Sequence, residues 1–330
     1  MTNVLSCFFP TTVVLVDDSA SFLETLTETI DSNNITLRRF TKPSEAIDFV
    51  NEVSAANHLD FSDITAFGEE NTSDWQSIMV SVNRLHREIY NPERFSRIST
   101  IIVDYAMPGM SGVELCSHIK DKSIQKILLT GVADEQIAIN AFNNGYINRF
   151  IKKGYHNFEE SLQEGITKSV YQYFNVYTED LSKHLSPNDK THLKDPIFAN
   201  FFYNTCLNKT FVEYYMLDNF GSYLFMNAPG QPSMLSVLTE YEMERIVTIG
   251  KESGEMTPDV EEGLKSREYM LVCHNRNGTL PPIADWGNYL KPARRLEGYQ
   301  TYYFAFADYQ ALDVDVDKIY SFEHFVRRGM

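Results

Sequence analysis

The chain has 330 residues, of which 43% are hydrophobic, and it carries a formal net charge of −16 at pH 7. This length and composition predict about two soluble globular domains, each with a core of its own. Residues 1–180 hold 25 acidic and 14 basic side chains, and the remainder holds 20 and 15. Because neither part has the basic excess typical of nucleic-acid-binding proteins, the charge argues against DNA binding, apart from a local basic patch.

The four cysteines lie far apart and form no C-x-x-C pair: Cys7, Cys116, Cys206 and Cys273. This spacing argues against a zinc site and against a disulfide framework, and it favours reduced thiols in a cytoplasmic protein. No apolar run reaches the length of a transmembrane helix, and residues 1–12 do not resemble a signal peptide. We therefore expect a cytoplasmic protein with no membrane partner.

Short apolar stretches alternate with helical patterns in the first half of the chain. The predicted strands are residues 13–16, 35–40, 101–104, 127–130 and 149–153. The predicted helices begin near residues 19, 44, 113 and 133, and the last of them is expected to bury Ile137, Ala141 and Phe142. Strands and helices that alternate in this way predict a doubly wound, five-stranded parallel sheet of the α/β class with right-handed crossovers.

Polar side chains follow the predicted strands where each strand ends. The residues are Asp17 and Asp18 after the first strand, Asp104 after the third, Thr130 after the fourth, and Lys152 and Lys153 after the fifth. In a flavodoxin-like strand order these four ends meet at one edge of the sheet. A lone Asp after a strand is more often a helix cap, but three carboxylates at one edge would repel one another unless a divalent cation such as Mg²⁺ neutralised them. Asp104 would then suit a phosphoryl acceptor, with a lysine stabilising the transferred charge.

These residues resemble the receiver domain of two-component response regulators, over residues 11 to about 157. The matching features are Asp17-Asp18, Asp104 within D-Y-A-M-P-G-M-S-G, Thr130 within L-L-T-G, and a lysine after the fifth strand. The resemblance implies Mg²⁺-dependent phosphorylation of Asp104 by a sensor histidine kinase or a phosphotransfer protein. The metal would be held by Asp17, Asp18, Asp104 and the backbone carbonyl of Ala106. No enzymatic activity is expected beyond self-phosphorylation and autodephosphorylation.

The resemblance also implies a population shift transmitted through Thr130 and an aromatic residue on the fifth strand. Family members usually have that aromatic residue three positions before the lysine, which favours Phe150 with Lys153, whereas counting from Thr130 in the shortest receivers favours Lys152. Adjacent strand residues face opposite sides, so only one lysine can reach the pocket. We predict Lys153 for the pocket and Phe150 for the switch. Gly154 replaces the proline that usually follows the lysine.

The interval between Asp17 and Asp104 is roughly twice the family's usual spacing, which predicts an insertion after the second strand at about residues 54–97. Its polar part, residues 57–73, is predicted to be a loop. Apolar residues then recur at helical spacing from Trp75 to Ile89 and predict an amphipathic helix that packs on the domain or, alternatively, forms a partner surface. His86 on this stripe is interpreted as a packed histidine and not as a phosphotransfer group.

Residues 158–185 carry apolar side chains three or four positions apart and predict one long helix. Its length of about 42 Å exceeds what a small domain needs. We therefore predict that residues 158–190 link two domains and contribute to a homodimer. The alternative is a helix that packs only on its own receiver domain.

Residues 191–330 predict an α+β domain with an antiparallel sheet. The predicted helices are 196–208, 241–250, 258–269 and 316–325, and the predicted strands are 211–217, 222–227, 234–238, 270–274 and 299–306. The turn at Asp218–Gly221 gives a weak likeness to a PAS-type hairpin. We found no helix-turn-helix, P-loop or hydrolase signature. Five basic residues are interpreted as a solvated surface, with a patch that binds an anion or nucleic acid as the alternative: Lys291, Arg294, Arg295, Arg327 and Arg328.

The whole chain is similar to proteobacterial response regulators with an unclassified C-terminal domain and, more loosely, to a quorum-sensing response regulator of Legionella. The expected division is a receiver domain at 1–157, a linking helix at 158–190 and an output domain, PAS-like in one interpretation, at 191–330. The output is expected to act through dimerisation or protein contacts. The alternatives are a transcriptional regulator that binds nucleic acid, and a ligand sensor or enzyme gated by the receiver.

Overall fold

The structure is a computed structural model, and it describes residues 3–57, 59, 85–131, 135–185, 190–273, 280–308 and 314–329. The chain forms two compact units. The parallel-sheet unit comprises residues 9–59 and 92–177, and the antiparallel-sheet unit comprises residues 1–8, 60–91 and 178–330. These units are defined by spatial packing, and each contains more than one segment of the chain. The boundaries predicted at residues 157 and 190 stay a prediction.

Strand β1 (Cys7–Phe8) opens the chain and belongs to the antiparallel-sheet unit. The sheet of the other unit contains β2 (Thr11–Val16), β3 (Ile35–Phe40), β4 (Ile98–Asp104), β5 (Gln125–Thr130) and β6 (Arg149–Lys152). Its strand order is β3-β2-β4-β5-β6, and each neighbouring pair is parallel. The predicted flavodoxin-like parallel sheet is therefore confirmed. Strands β2, β4 and β5 are buried along their whole length, which explains the continuous run of three or four apolar residues that each contains.

Helices alternate with these strands: α1 (Ala20–Thr29), α2 (Pro43–Ala56), α3 (Gly112–His118) and α4 (Glu135–Asn143). The prediction for the inward face of α4 was wrong at two positions. Ile137 is 42% exposed and Phe142 is 50% exposed, whereas Ala138 and Ala141 are buried in the core. The two alanines are three positions apart and form one face of the helix, so the sheet packs against small side chains and the large ones point outward.

The predicted insertion lies between α2 and β4. Most of the predicted loop and amphipathic helix at residues 57–89, including Trp75, falls outside the described residues. Its described end, Leu85–Tyr90, is a 3₁₀-helix with Leu85 and Ile89 buried. A second 3₁₀-helix, Pro92–Ser96, precedes β4.

The predicted long helix is confirmed as α5 (Phe158–His184). Its residues 158–177 belong to the parallel-sheet unit and residues 178–184 to the antiparallel-sheet unit. Within the parallel-sheet unit, Phe174 packs edge-on against Phe9 with ring centroids 4.8 Å apart, and a Cβ at Gly165 would lie 3.0 Å from Ile151 Cδ1. The first part of α5 therefore packs closely on its own sheet, while its predicted role in a homodimer stays a prediction.

The antiparallel-sheet unit combines short helices with two sheets. Its helices are α6 (Thr191–Lys194), α7 (Pro196–Asn208), α8 (Glu240–Ser253), α9 (Pro258–Lys265) and α10 (Phe322–Gly329). Its further strands are β7 (Phe211–Met216), β8 (Tyr223–Asn227), β9 (Pro232–Thr239), β10 (Tyr269–Leu271), β11 (Leu290–Pro292), β12 (Arg294–Glu297) and β13 (Thr301–Asp308). The six-stranded sheet has the order β1-β7-β8-β9-β13-β12, with β10 and β11 forming a separate pair, and its neighbours are antiparallel. The predicted antiparallel α+β half is therefore confirmed.

Several details of this unit differ from the predictions. Strands β11 and β12 were not predicted, and the helix predicted at residues 258–269 ends at Lys265, so that Tyr269 lies in β10. Strand β1, in which Cys7 pairs with Tyr215, was not predicted, because the local sequence has no strand pattern. The last helix begins at Phe322 and not near residue 316, because Val316–Lys318 forms a separate 3₁₀-turn. None of the helices in the described parts of the chain has both the length and the apolar character needed to cross a membrane.

All four cysteines are free thiols, and burial raises the pKa of Cys116, Cys206 and Cys273 to about 12. Only the thiolate reacts quickly with alkylating agents. We expect iodoacetamide at pH 8 to modify the folded protein at least about 100-fold more slowly than the protein in urea, as followed by intact mass. Rapid uptake of two or more adducts by the folded protein would contradict this burial.

An ion pair ties α8 to the end of α9. Arg267 Nε donates to Glu240 Oε1 at 3.0 Å, and the Tyr303 hydroxyl donates to Glu240 Oε2 at 2.6 Å. The Arg267 guanidinium, helped by the Tyr303 hydroxyl, holds the pKa of Glu240 below its ordinary value of 4.5. A lowered carboxyl pKa stabilises the fold above the unfolded-state pKa, and this contribution is lost as the pH falls through the folded-state pKa.

We therefore expect Glu240→Gln to lower the free energy of unfolding by about 1 kcal/mol at pH 7, a modest value because the carboxylate is 44% exposed. The difference from the unmodified chain should stay constant from pH 7 to about 5 and shrink as the pH falls from about 5 to about 3, below the ordinary carboxyl pKa of 4.5. Urea unfolding at several pH values measures this difference. A difference that stays constant down to about pH 3 would show that the carboxylate charge contributes nothing.

Candidate functional site

Three carboxylates meet at one edge of the parallel sheet. Asp17 and Asp18 follow β2, and Asp104 ends the neighbouring strand β4. One oxygen from each carboxylate lies within 4.8 Å of the others. Asp17 and Asp104 are buried, with 2% and 8% of their surface exposed, whereas Asp18 is exposed. The structure thus brings together the three acidic residues that the sequence singled out.

The backbone at each strand end orients these carboxylates. Asp17 Oδ1 accepts a hydrogen bond from the Ser19 N–H at 2.9 Å, and Asp104 Oδ2 accepts one from the Ala106 N–H at 3.1 Å. Ser19 is also the N-cap of α1, since its Oγ accepts from the Phe22 N–H at 3.3 Å. Asp17 and Asp104 are therefore each held by the turn that leads out of their strand.

Glycine is required where α3 begins beside Asp104. The Gly112 N–H donates to the Tyr105 carbonyl at 3.0 Å, and a Cβ at Gly112 would lie 2.3 Å from the Asp104 backbone carbonyl oxygen. Gly109, in the preceding turn, has a φ of +80°, which favours glycine. These contacts give the physical reason for the spacing of glycines in the motif after Asp104.

Of the two lysines, Lys153 is the one that reaches the carboxylates. Its Nζ lies 2.7 Å from Asp17 Oδ2 and 2.7 Å from Asp104 Oδ1. Lys152 Nζ instead lies 2.6 Å from Glu135 Oε2, at the start of α4, and this hydrogen bond raises the pKa of Lys152. The Lys153 N–H donates to the Thr130 carbonyl at 2.8 Å and so extends the pairing of β5 and β6 by one residue. Gly154 follows with a φ of +80°.

Thr130 and Phe150 lie on neighbouring strands. Thr130 is fully buried, and its hydroxyl has no hydrogen-bond partner among the described residues. A buried hydroxyl without a partner is costly, so it marks a place where a ligand atom would be stabilising. Phe150 is half-buried, pairs with Leu128 across β5 and β6, and packs against the core of the parallel-sheet unit.

The donor set fits a hard divalent cation. Three carboxylates and one ammonium leave the cluster with an excess of negative charge at neutral pH, and carboxylate oxygens are the ligands that Mg²⁺ prefers. Asp18 is exposed and has no ion pair or hydrogen bond within the described parts of the chain, so its oxygens are available to a cation. Asp17, Asp18 and Asp104 are the residues that would hold the metal.

The sequence analysis missed one neighbour of the cluster. The ring centroid of Phe22, on α1, lies 4.1 Å from Lys153 Nζ. In the sequence, Phe22 shares one helical face with Leu23, Leu26 and Ile30 by its spacing, and that pattern carries no information about which polar group the ring covers. A search for aromatic residues one turn after an Asp-Asp pair would have identified it as a candidate.

Comparisons with known proteins identify the family. The response regulator receiver domain family matches residues 76–163. The solved structure of the Legionella pneumophila response regulator LqsR is similar over 99% of this chain and 96% of that chain, with 33% sequence identity and a TM-score of 0.82. No curated protein matches the chain.

Two partial likenesses cover about half of the chain. A structure of adenylate cyclase from Rhodopirellula baltica is 21% identical and covers 54% of this chain and 100% of that chain, with a TM-score of 0.36. A response regulator receiver domain protein from Clostridium thermocellum is 16% identical and covers 50% of this chain and 98% of that chain, with a TM-score of 0.34. We draw nothing from these two. Because the match to the Legionella protein extends along nearly the whole of both chains, this chain belongs to the response regulator family and carries its receiver domain.

Proposed function

We propose that this protein is a two-component response regulator in which Asp104 accepts a phosphoryl group in a Mg²⁺-dependent reaction. The donor would be a sensor histidine kinase or a phosphotransfer protein, the partners that a receiver domain implies in general. The observation that carries the proposal is the position of Asp104. Its carboxylate lies 2.7 Å from Lys153 Nζ and within 4.8 Å of the carboxylates of Asp17 and Asp18.

The chain's own groups suit each part of this transfer. An Asp104 carboxylate oxygen forms the new bond to phosphorus while the bond from phosphorus to the donor's nitrogen or oxygen breaks, and the electron pair of that bond leaves with the donor. Lys153 and the Ala106 N–H, which already contact the two Asp104 oxygens, stabilise the negative charge near the acceptor. Bound Mg²⁺ would neutralise charge on the carboxylates and on the incoming phosphoryl oxygens.

Phosphorylation would change the contacts of two further residues. A phosphoryl group on Asp104 adds negative charge and acceptor oxygens, so it competes with Asp17 for the Lys153 ammonium. It also offers an acceptor to the buried Thr130 hydroxyl, which has no partner in the described structure. A shift of Thr130 and Phe150 would then carry the change away from the pocket.

We also propose that the output domain, residues 191–330, acts through dimerisation or protein contacts. Arg294 and Arg295 are exposed on the edge strand β12, a feature that favours the alternative of nucleic-acid binding. However, Arg295 is paired with Glu297, and the chain has a net charge of −16. We therefore favour protein contacts, within a quorum-sensing circuit as the sequence resemblance implies. Failure to bind DNA at low salt, with or without phosphorylation, would remove the alternative.

The proposal is tested by incubating the full chain with acetyl phosphate and MgCl₂ and measuring its intact mass. The unmodified chain should gain one phosphoryl group, and both Asp104→Asn and addition of EDTA should abolish the gain. No gain on the unmodified chain would refute the proposed phosphorylation. Light scattering of the same samples tests the output: an unchanged association state would refute the dimerisation mechanism and leave the phosphorylation in place.

A further inference from the structure

The Lys153 ammonium contacts a third group besides its two carboxylates. Its Nζ lies over the Phe22 ring, 4.1 Å from the ring centroid, in addition to the 2.7 Å contacts with Asp17 and Asp104. An ammonium within about 6 Å of an aromatic centroid is attracted by the electron-rich face of the ring. The Lys153 side chain is 28% exposed, so the ring covers part of a cation that water would otherwise reach.

Phe22 is itself held by the turn that forms the acidic cluster. Ser19 donates its N–H to Asp17 Oδ1 and accepts the Phe22 N–H at its Oγ. One residue thus fixes both the carboxylate and the beginning of the helix that carries the ring. The position of Phe22 relative to Lys153 is therefore set by the same backbone that positions Asp17.

On its other side, Phe22 meets the long helix. Its ring centroid lies 6.4 Å from that of Phe158, the first residue of α5, and the two ring planes are tilted by 37°. A second contact joins the segment just after α1 to α5, where the Asp31 N–H donates to Gln163 Oε1 at 3.0 Å. Phe22 therefore lies between the cation of the cluster and the start of α5.

We propose that Phe22 is a positioning residue for Lys153 and that it links the position of this ammonium to the start of α5 through Phe158. A lysine side chain has four rotatable carbon–carbon bonds, and the ring restricts the ammonium to the space above Asp17 and Asp104. When a phosphoryl group on Asp104 draws the ammonium away from Asp17, the ring loses its cation and its packing against Phe158 changes. The consequence for phosphorylation rests on the proposed function, whereas the contact itself does not.

The test compares three variants of the full chain. Phe22→Leu removes the aromatic face but keeps an apolar side chain, and Phe22→Tyr keeps the face. Phe49→Leu is the matched control, because Phe49 is a half-buried phenylalanine of the same unit that packs on Phe40, with ring centroids 5.1 Å apart. With acetyl phosphate and MgCl₂ we expect Phe22→Leu to slow phosphorylation by roughly 3- to 30-fold, and the other two variants to stay within about 2-fold.

A second measurement needs no phosphorylation. In protein labelled with ¹³C-lysine, the ε-methylene signal of Lys153, assigned with Lys153→Arg, should be shifted upfield by the ring current of Phe22. The shift should persist in Phe22→Tyr and disappear in Phe22→Leu. An unshifted Lys153 signal in the unmodified chain overturns the proposal. If the unmodified chain is not phosphorylated at all, the proposed function fails, and this signal alone decides whether Phe22 positions Lys153.

The kinetic comparison can also overturn the proposal. If Phe22→Tyr loses as much rate as Phe22→Leu, the ring acts only as packing and the positioning role is wrong. The link to α5 is tested by Phe158→Leu, which we expect to slow phosphorylation. In the double variant with Phe22→Leu, the rate should be only slightly lower than in Phe22→Leu alone. Fully additive losses would show that the two rings act independently and would overturn the link.

Discussion

Replacement of Lys153 by alanine should slow the phosphorylation of Asp104 by roughly 10²- to 10³-fold, the loss expected when one group that stabilises transition-state charge is removed. Lys153 Nζ is 2.7 Å from both Asp104 and Asp17, so its loss also leaves these buried carboxylates to repel each other. Lys152→Ala should stay within about 3-fold of the unmodified rate, because Lys152 pairs with Glu135 and not with the acidic cluster. Intact mass against time with acetyl phosphate and MgCl₂ gives the rates.

The pair of adjacent lysines makes this comparison well controlled. Both variants remove the same charge and the same side chain, one residue apart. A difference between their phosphorylation rates therefore cannot come from a general effect of net charge on the phosphodonor. Lys153→Arg should recover part of the rate, since it restores the charge with a bulkier, planar group. Equal losses in Lys152→Ala and Lys153→Ala would contradict the assignment of Lys153 to the site.

The acidic cluster could be predicted from the sequence because the position of a residue at the end of a parallel strand indicates where its side chain lies. Asp17, Asp18 and Asp104 each follow an apolar stretch, and parallel strands bring their carboxyl ends to one edge. The preference for Lys153 came from the resemblance, because family members usually have an aromatic residue three positions before the lysine, and adjacent residues of a strand face opposite sides. No part of that reasoning required knowledge of how distant segments pack.

Features that depend on distant segments could not be predicted in this way. Strand β1 has two residues and pairs Cys7 with Tyr215, so neither its length nor its composition distinguishes it from a loop. The face of α4 was assigned from Ile137, Ala141 and Phe142, yet of these three only Ala141 lies in the core, together with Ala138. A hydrophobic pattern shows that a helix has an apolar side, but the fit to the sheet decides which residues are buried.

The contacts of Asp195 with residues far along the chain could likewise not be predicted from the sequence. Of the substitutions proposed, its replacement should have the largest effect on stability. In the structure it is the N-cap of α7, and its Oδ1 accepts from the Ile197 N–H at 2.9 Å and the Phe198 N–H at 3.3 Å. Its Oδ2 also accepts from the Tyr302 hydroxyl at 3.1 Å and from the Tyr299 N–H. Burial, followed by the nearby Asp195 charge, raises the pKa of Tyr302, so its hydroxyl stays protonated and donates.

We expect Asp195→Ala to lower the free energy of unfolding by roughly 3–5 kcal/mol, because the carboxylate is fully buried and its removal leaves several donors without an acceptor. Asp195→Asn keeps an acceptor for the helix cap but loses the second carboxylate oxygen, so about half of that loss is expected. Asp180→Ala is the exposed control, since Asp180 pairs with Lys183 at the surface and should change stability by less than about 0.5 kcal/mol.

The chain has two tryptophans, and Trp286 is fully buried in the antiparallel-sheet unit. In a Trp75→Phe background, urea unfolding followed by fluorescence therefore reports on the unit that contains Asp195. The order of stability should be Asp180→Ala, then Asp195→Asn, then Asp195→Ala. If Asp195→Asn is as unstable as Asp195→Ala, the bonds to Tyr299 and Tyr302 outweigh the helix cap. If both stay close to the control, Asp195 does not hold α7 to the hairpin of β12 and β13.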